Sequence, residues 1–213
     1  MQTVERTLAS SMLEIGAVLL RPDEPFIWAS GWHSPIYTDS RRIISVPSLR
    51  SYVADAISEK VRSLYPEADV VAGVATGAIA HGALVADRLG KPFIYVRSKP
   101  KDHGTGSQVE GMLAPGAKVV VVEDMVSTGK SSLEAVDALR QAGAEVLGMI
   151  AIFTYGFDLA AERFAEKHVA LNTLSDYNAI VEVARETGYI KEEYYDILRE
   201  WRSSPSTWQQ TAK

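Results

Sequence analysis

The stretch Val119-Val-Val-Val-Glu-Asp-Met-Val-Ser-Thr-Gly-Lys-Ser131 decides the fold of this chain. Its four consecutive valines have the unbroken β-branched character of a strand buried on both faces, as strands of parallel sheets are. Two acids, Glu123 and Asp124, close the apolar run, and a short loop of small residues leads into a helix. Open α/β sheets bind ligands beyond the carboxyl ends of their strands. Small residues there let backbone N–H groups converge, and the next helix offers its positive N-terminal end. That half of the pattern asks for a phosphate. The two acids ask for hydroxyls, as on a ribose, or for a metal ion. A ribose phosphate satisfies both halves.

A nucleoside-triphosphate P-loop is the nearest competitor. It needs a Gly, four residues, then Gly-Lys-Ser/Thr. Gly129-Lys130-Ser131 supplies the second half, but the first Gly would fall on Asp124. An acid inside the loop would repel the triphosphate that the backbone must wrap. The bland alternative is a buried strand with an ordinary turn, which leaves the ordered succession of strand, acid pair and Ser/Thr/Gly loop without a purpose.

Working outward, strands and helices alternate. Apolar spacing predicts helices near 47–65, 78–89, 131–142, 177–187 and 190–201, and an amphipathic helix at the N-terminus through Val4, Leu8, Met12, Ile15 and Leu19. Strands are expected near 69–74, 92–96, 118–123 and 145–153, with a short one near 168–172. Such alternation indicates βαβ units and a mainly parallel sheet. The 213 residues, 46% of them hydrophobic, suit one domain with a small appendage. The tail from Ser203 to Lys213 is polar and reads as frayed. There are no cysteines, which excludes disulfides and thiolate metal sites. Net charge −5 and a pI near 5.4 argue against general nucleic-acid binding. No apolar stretch reaches membrane-spanning length, and the N-terminus lacks signal-peptide order, so a cytoplasmic protein is expected.

Three more segments carry chemistry. Arg97 to Gly111 follows an apolar run and holds three cations, one His, three Gly and a Pro, with nothing periodic to bury. It reads as a mobile, positively charged loop, notable on an acidic chain. Phe26 to Arg42 interleaves four aromatics with Ser, Gly and Pro, a composition able to hold a flat ring. Gly73 to Gly82 is a second small-residue turn opening a helix, with His81 read as packed beneath it.

Val119 to Ser131 resembles the phosphoribosyl-pyrophosphate signature of the type I phosphoribosyltransferases. That resemblance implies an α/β fold with a mainly parallel central sheet flanked by helices and a small N-terminal hood. One domain over 1–213 is expected: hood over about 1–45, core and C-terminal helices over about 46–202, tail over 203–213. It places Glu123 and Asp124 on the ribose and Ser127, Thr128, Gly129, Lys130 and Ser131 around the phosphate, with Met125 and Val126 also against the donor. Arg97, Lys101 and His103, with Asp102 and Gly104 in step, resemble the catalytic loop of the orotate phosphoribosyltransferases. The Ser-Gly-x-x-Ser-Pro-x-Tyr pattern ending at Tyr37 resembles their orotate-side segment.

The implied reaction is transfer of the phosphoribosyl group to orotate, giving orotidine 5′-phosphate and pyrophosphate, a step of pyrimidine nucleotide synthesis. The catalytic set is then Lys101, His103, Arg97 and Asp124; Ser127 and Tyr37 touch orotate, and Thr76 and Gly77 meet pyrophosphate. Mg2+ is the implied cofactor, held with the substrate rather than by protein alone. A homodimer sharing the Arg97–Gly111 loop between subunits is implied too. The chain departs from some members at Ala29, where a Lys can stand, and at Thr154 and Tyr155, where an Arg can. A purine or uracil enzyme would share the ribose-phosphate run but not the other two segments. A non-catalytic sensor of the donor would need a basic face or an added domain.

Overall fold

A computed structural model describes residues 3–28, 30–99 and 107–209. Ala29, Lys101, Asp102, His103 and Gly104, singled out above, lie outside the described residues.

Helix α1 (Val4–Glu14) is capped by the Thr3 side chain and buries Leu8, Ala9, Met12 and Leu13. Four short strands follow: β1 (Val18–Leu20), β2 (Phe26–Ile27), β3 (His33–Ser34) and β4 (Ile36–Thr38). They pair antiparallel, β1 with β4 and β2 with β3. A 3-10 turn over Ser40–Ser45 leads into α2 (Pro47–Leu64), where Pro47 sits in the first turn and needs no N–H partner. Then come β5 (Val70–Val74), α3 (Ile79–Leu89), β6 (Phe93–Val96), β7 (Val109–Glu110), β8 (Lys118–Val126), α4 (Lys130–Gln141), β9 (Glu145–Thr154), α5 (Asp158–Glu166), β10 (Leu171–Asp176), α6 (Tyr177–Glu186) and α7 (Glu193–Ser203).

One six-stranded sheet organises the chain, in the order β10-β9-β8-β5-β6-β7. Its strands are parallel except β7, which runs against β6. The valines of β8 alternate between two cores. Val120 and Val122 join the layer built with α1, α2, α3, α6 and α7, while Val119 and Val121 join the layer built with α4 and α5. Both faces are covered, so the strand needs no polar side. From β5 the chain moves outward to β6, whereas β8 returns to the other flank of β5. The sheet order therefore reverses between β5 and β8, and a crevice opens there at the carboxyl edge.

The structure differs from the sequence expectation in several places. Helix α1 stops at Glu14, so Leu19, expected on its apolar stripe, lies in β1 instead. Strand β7 (Val109–Glu110) forms within the segment read as a loop. Strand β8 runs on to Val126 rather than stopping at 123, because parallel pairing continues as Met125↔Phe153 and Val126↔Thr154. Helix α5, not expected from the sequence, packs Ala160 and Phe164 into the second core. It leaves through His168 at φ 52°, which pushes β10 on to Leu171–Asp176 rather than 168–172. The tail expected to fray is anchored instead within its described part: Trp208 is 6% exposed and belongs to the first core, since an indole gains more from burial than from water.

Candidate active site

Loop 75–78 after β5 and loop 127–129 after β8 flank the crevice, and each opens a helix. The first lies against an acid of the second strand. A Cβ added to Gly77 would sit 2.1 Å from Asp124 Oδ2, so only glycine allows this approach. The same Oδ2 accepts a hydrogen bond from Ser40 Oγ at 2.6 Å. Asp124 is thus gripped from the turn after β4 and from the loop after β5.

Glu123 and Asp124 were both expected on the ribose, and the structure separates them. Neighbouring residues of a strand face opposite sides. Asp124 continues the face of Val120 and Val122, while Glu123 continues that of Val121. Glu123 is 4% exposed; its Oε2 accepts from Ser132 Oγ of α4 at 2.9 Å and its Oε1 from the Asp124 N–H at 3.0 Å. Burial, reinforced by the Asp124 charge, holds its carboxyl pKa well above the usual range.

The side of the crevice after β8, where a phosphate was expected, is built from backbone. Gly129 has φ 75° and caps α4, whose first residue is Lys130. The positive end of α4 therefore opens onto Ser127, Thr128 and Gly129. Helix α5 braces the loop: Arg163 Nη1 donates to the Thr128 carbonyl at 2.9 Å, and Phe164 packs so close that a Cβ on Gly129 would meet it at 2.9 Å. Lys130 and Ser131 are exposed at the helix start. The Val126 side chain is fully buried in the second core, and its carbonyl accepts from the Tyr155 N–H. Met125 is half-buried. Thr76 is exposed beside Gly77, and the Ala75–Thr76 peptide is cis.

Beneath these loops His81 of α3 is fully buried, and neither ring nitrogen has a partner among the described residues. Burial pulls its pKa down to about 4, with Asp124 pulling the other way. Its imidazole is neutral near pH 7.

A cavity of about 200 Å³ adjoins the crevice, lined by Ile27, Trp28, Tyr37, Thr38, Met125, Ser127 and Tyr155. It is the size of one small ring rather than of a whole nucleotide. Tyr155 OH donates to Thr38 Oγ1 at 3.0 Å, and burial pushes the phenol pKa up. Trp28 packs on Tyr155 with ring centroids 5.0 Å apart, and its indole N–H bonds the Ile36 carbonyl. The expected contacts Tyr37 and Ser127 both line this cavity. Thr38 and Ser40 escaped the sequence reading, although two hydroxyls two residues apart beside Tyr37 were a signal, and Tyr155 entered it only as a position where an Arg can stand. Arg97 stands at the root of the Arg97–Gly111 loop, where its N–H bonds the Gln108 carbonyl and its guanidinium lies 3.8 Å from Glu110.

No group of three His, Cys, Asp or Glu able to hold a metal occurs among the described residues. A cation at this crevice would rest on Asp124 and on oxygens brought by the ligand.

The chain matches the model of the phosphoribosyl transferase domain over residues 43–186. It is 51% identical over 208 residues to an orotate phosphoribosyltransferase of Porphyromonas gingivalis, covering 98% of this chain and 99% of that one. Among solved structures, an orotate phosphoribosyltransferase from Aeropyrum pernix superposes with a TM-score of 0.75 at 35% identity, covering 86% of this chain and 99% of that one. The UMP synthase of Leishmania donovani superposes with a TM-score of 0.77 at 26% identity over 92% of this chain, which spans 42% of that longer protein. With the switch-point crevice, the Asp124 clamp and the ring-sized cavity in view, the chain belongs to the orotate phosphoribosyltransferases of the phosphoribosyltransferase family.

Proposed function

We propose that this chain transfers the 5-phosphoribosyl group of phosphoribosyl pyrophosphate to orotate, giving orotidine 5′-phosphate and pyrophosphate. One observation carries the reading. Strand β8 and its loop supply both Asp124 at the crevice and Met125 and Ser127 of the ring-sized cavity, so a sugar phosphate and a flat base would meet at one strand end.

In this reading Asp124 accepts from ribose hydroxyls. Backbone N–H groups of Ser127 to Ser131, with the end of α4, hold the 5′-phosphate. Loop 75–78 receives the pyrophosphate. The ring nitrogen of orotate bonds the anomeric carbon while the bond to pyrophosphate breaks, and the nitrogen's proton passes to the departing diphosphate, so positive charge grows on the sugar and negative charge on the leaving group. Arg97, Lys101 and His103 stabilise that leaving group, Lys101 most directly, and closure over the site excludes water. Mg2+, held by Asp124 and the donor's oxygens, would neutralise part of the diphosphate charge. The base cavity offers hydroxyls, backbone and aromatic faces where other members use Lys and Arg.

The enzyme works as a homodimer in the cytoplasm, with the Arg97–Gly111 loop serving the neighbouring site. Mixing inactive Lys101→Ala and Asp124→Asn chains would then restore part of the activity, and inert mixtures would argue against sharing. The main test incubates the protein with phosphoribosyl pyrophosphate, Mg2+ and orotate, uracil, hypoxanthine or adenine in parallel. Consumption of orotate alone is expected; turnover of another base would overturn the base assignment.

A further inference from the structure

The segment alternates from Ile36 to Ser40, and the buried positions from Ser34 onward are largely hydroxyl-bearing. Ser34, Ile36, Thr38 and Ser40 are buried, whereas Tyr37 between them is exposed. A buried hydroxyl needs a partner, since leaving it unpaired costs more than the bond returns. Each of these has one. Ser34 Oγ bonds the Ile36 carbonyl, Thr38 Oγ1 accepts from Tyr155, and Ser40, 2% exposed, donates to Asp124. Thr38 and Ser40 are two residues apart, so one short piece of backbone joins the base cavity to the acid of the crevice.

The Ser40 bond also decides how Asp124 stands. A carboxylate has two oxygens and can rotate about its stem. Ser40 takes Oδ2, and Gly77 crowds the same oxygen from the opposite loop. The carboxylate is thereby held in one rotation between the two.

We propose that Ser40 is a positioning residue: its hydroxyl fixes the rotation of the Asp124 carboxylate for the ribose of the donor and ties that carboxylate to the base-binding segment. The proposal rests on the reading of Asp124 as the ribose acid.

The test is a double-mutant cycle on donor affinity, by calorimetric titration with phosphoribosyl pyrophosphate and Mg2+. Ser40→Ala should weaken donor binding roughly tenfold, the scale of a hydrogen bond to a charged group. The same change in an Asp124→Asn background should add less than about twofold, because the bond acts only through that carboxylate. Ser40→Thr, which keeps the hydroxyl, should recover most of the affinity. Should Ser40→Ala not fold, Ser40→Cys, with its similar size and weaker donor, takes its place in the cycle with a smaller loss expected. Equal losses in both backgrounds would reduce Ser40 to a structural residue, and unchanged affinity would remove it altogether. Wild-type protein that does not bind the donor would instead overturn the functional reading itself.

Discussion

Glu123 and Asp124 are chain neighbours with the same functional group, yet the fold gives them opposite environments. Glu123 is sealed against α4, shares its oxygens with Ser132 and a backbone N–H, and is pushed toward the neutral acid. Asp124 stands half-buried in the crevice with one oxygen held by Ser40. A single strand puts two neighbouring acids in opposite environments, one sealed against a helix and one at the crevice, because its side chains alternate. Charge in the sequence is therefore no guide to charge at the site until the face is known.

The largest expected effect breaks that contrast directly. Asp124→Asn should lower kcat/KM for phosphoribosyl pyrophosphate by about a hundredfold, the worth of two hydrogen bonds to a charged acceptor. Glu123→Gln, which mimics the protonated acid, should change it less than about threefold. Steady-state kinetics on both variants decides the matter: equal losses would mean that both acids meet the donor. Next comes Gly77→Ala. Its methyl would collide with Asp124 Oδ2, so the loop after β5 or the carboxylate must shift. Donor affinity should fall roughly tenfold, on the scale of overpacking, and titration with the donor would reveal it.

The smallest effect is on stability against pH. His81 has a folded pKa of about 4 against an ordinary 6.5, so its contribution is complete above 6.5 and is lost as pH falls toward 4. Glu123 is shifted upward from 4.5, so its contribution is complete below 4.5 and is lost as pH rises through the folded value. Between 4.5 and 6.5 the two oppose each other. Glu123→Gln should therefore lose stability more steeply than wild type on acidification, by at most about 1.4 kcal/mol per pH unit. Urea unfolding between pH 4.5 and 6.5 measures this, and parallel curves would refute it.

Much of this arrangement was legible in the sequence because its signals are local. Four valines, a Ser-Thr-Gly loop and the Gly143 after α4 mark strand, loop and helix without help from elsewhere. What escaped depends on partners far along the chain. Strand β8 is lengthened by β9, and Asp124 is held by a serine 84 residues away. Helix α5 went unnoticed because two buried residues, Ala160 and Phe164, give a thin stripe. The separation of Glu123 from Asp124 was available from strand period alone, but the end of the strand was set too early to apply it.

The aromatic wall of the base cavity has an optical consequence. Trp28 lines the cavity and stacks with Trp32 at 6.3 Å, while Trp201 meets it edge-on at 5.5 Å. Three of the four indoles of the chain are thus grouped behind the place where a base would lie. A ring entering there presses against an intrinsic fluorophore, so the protein reports its own occupancy through tryptophan emission, without a label.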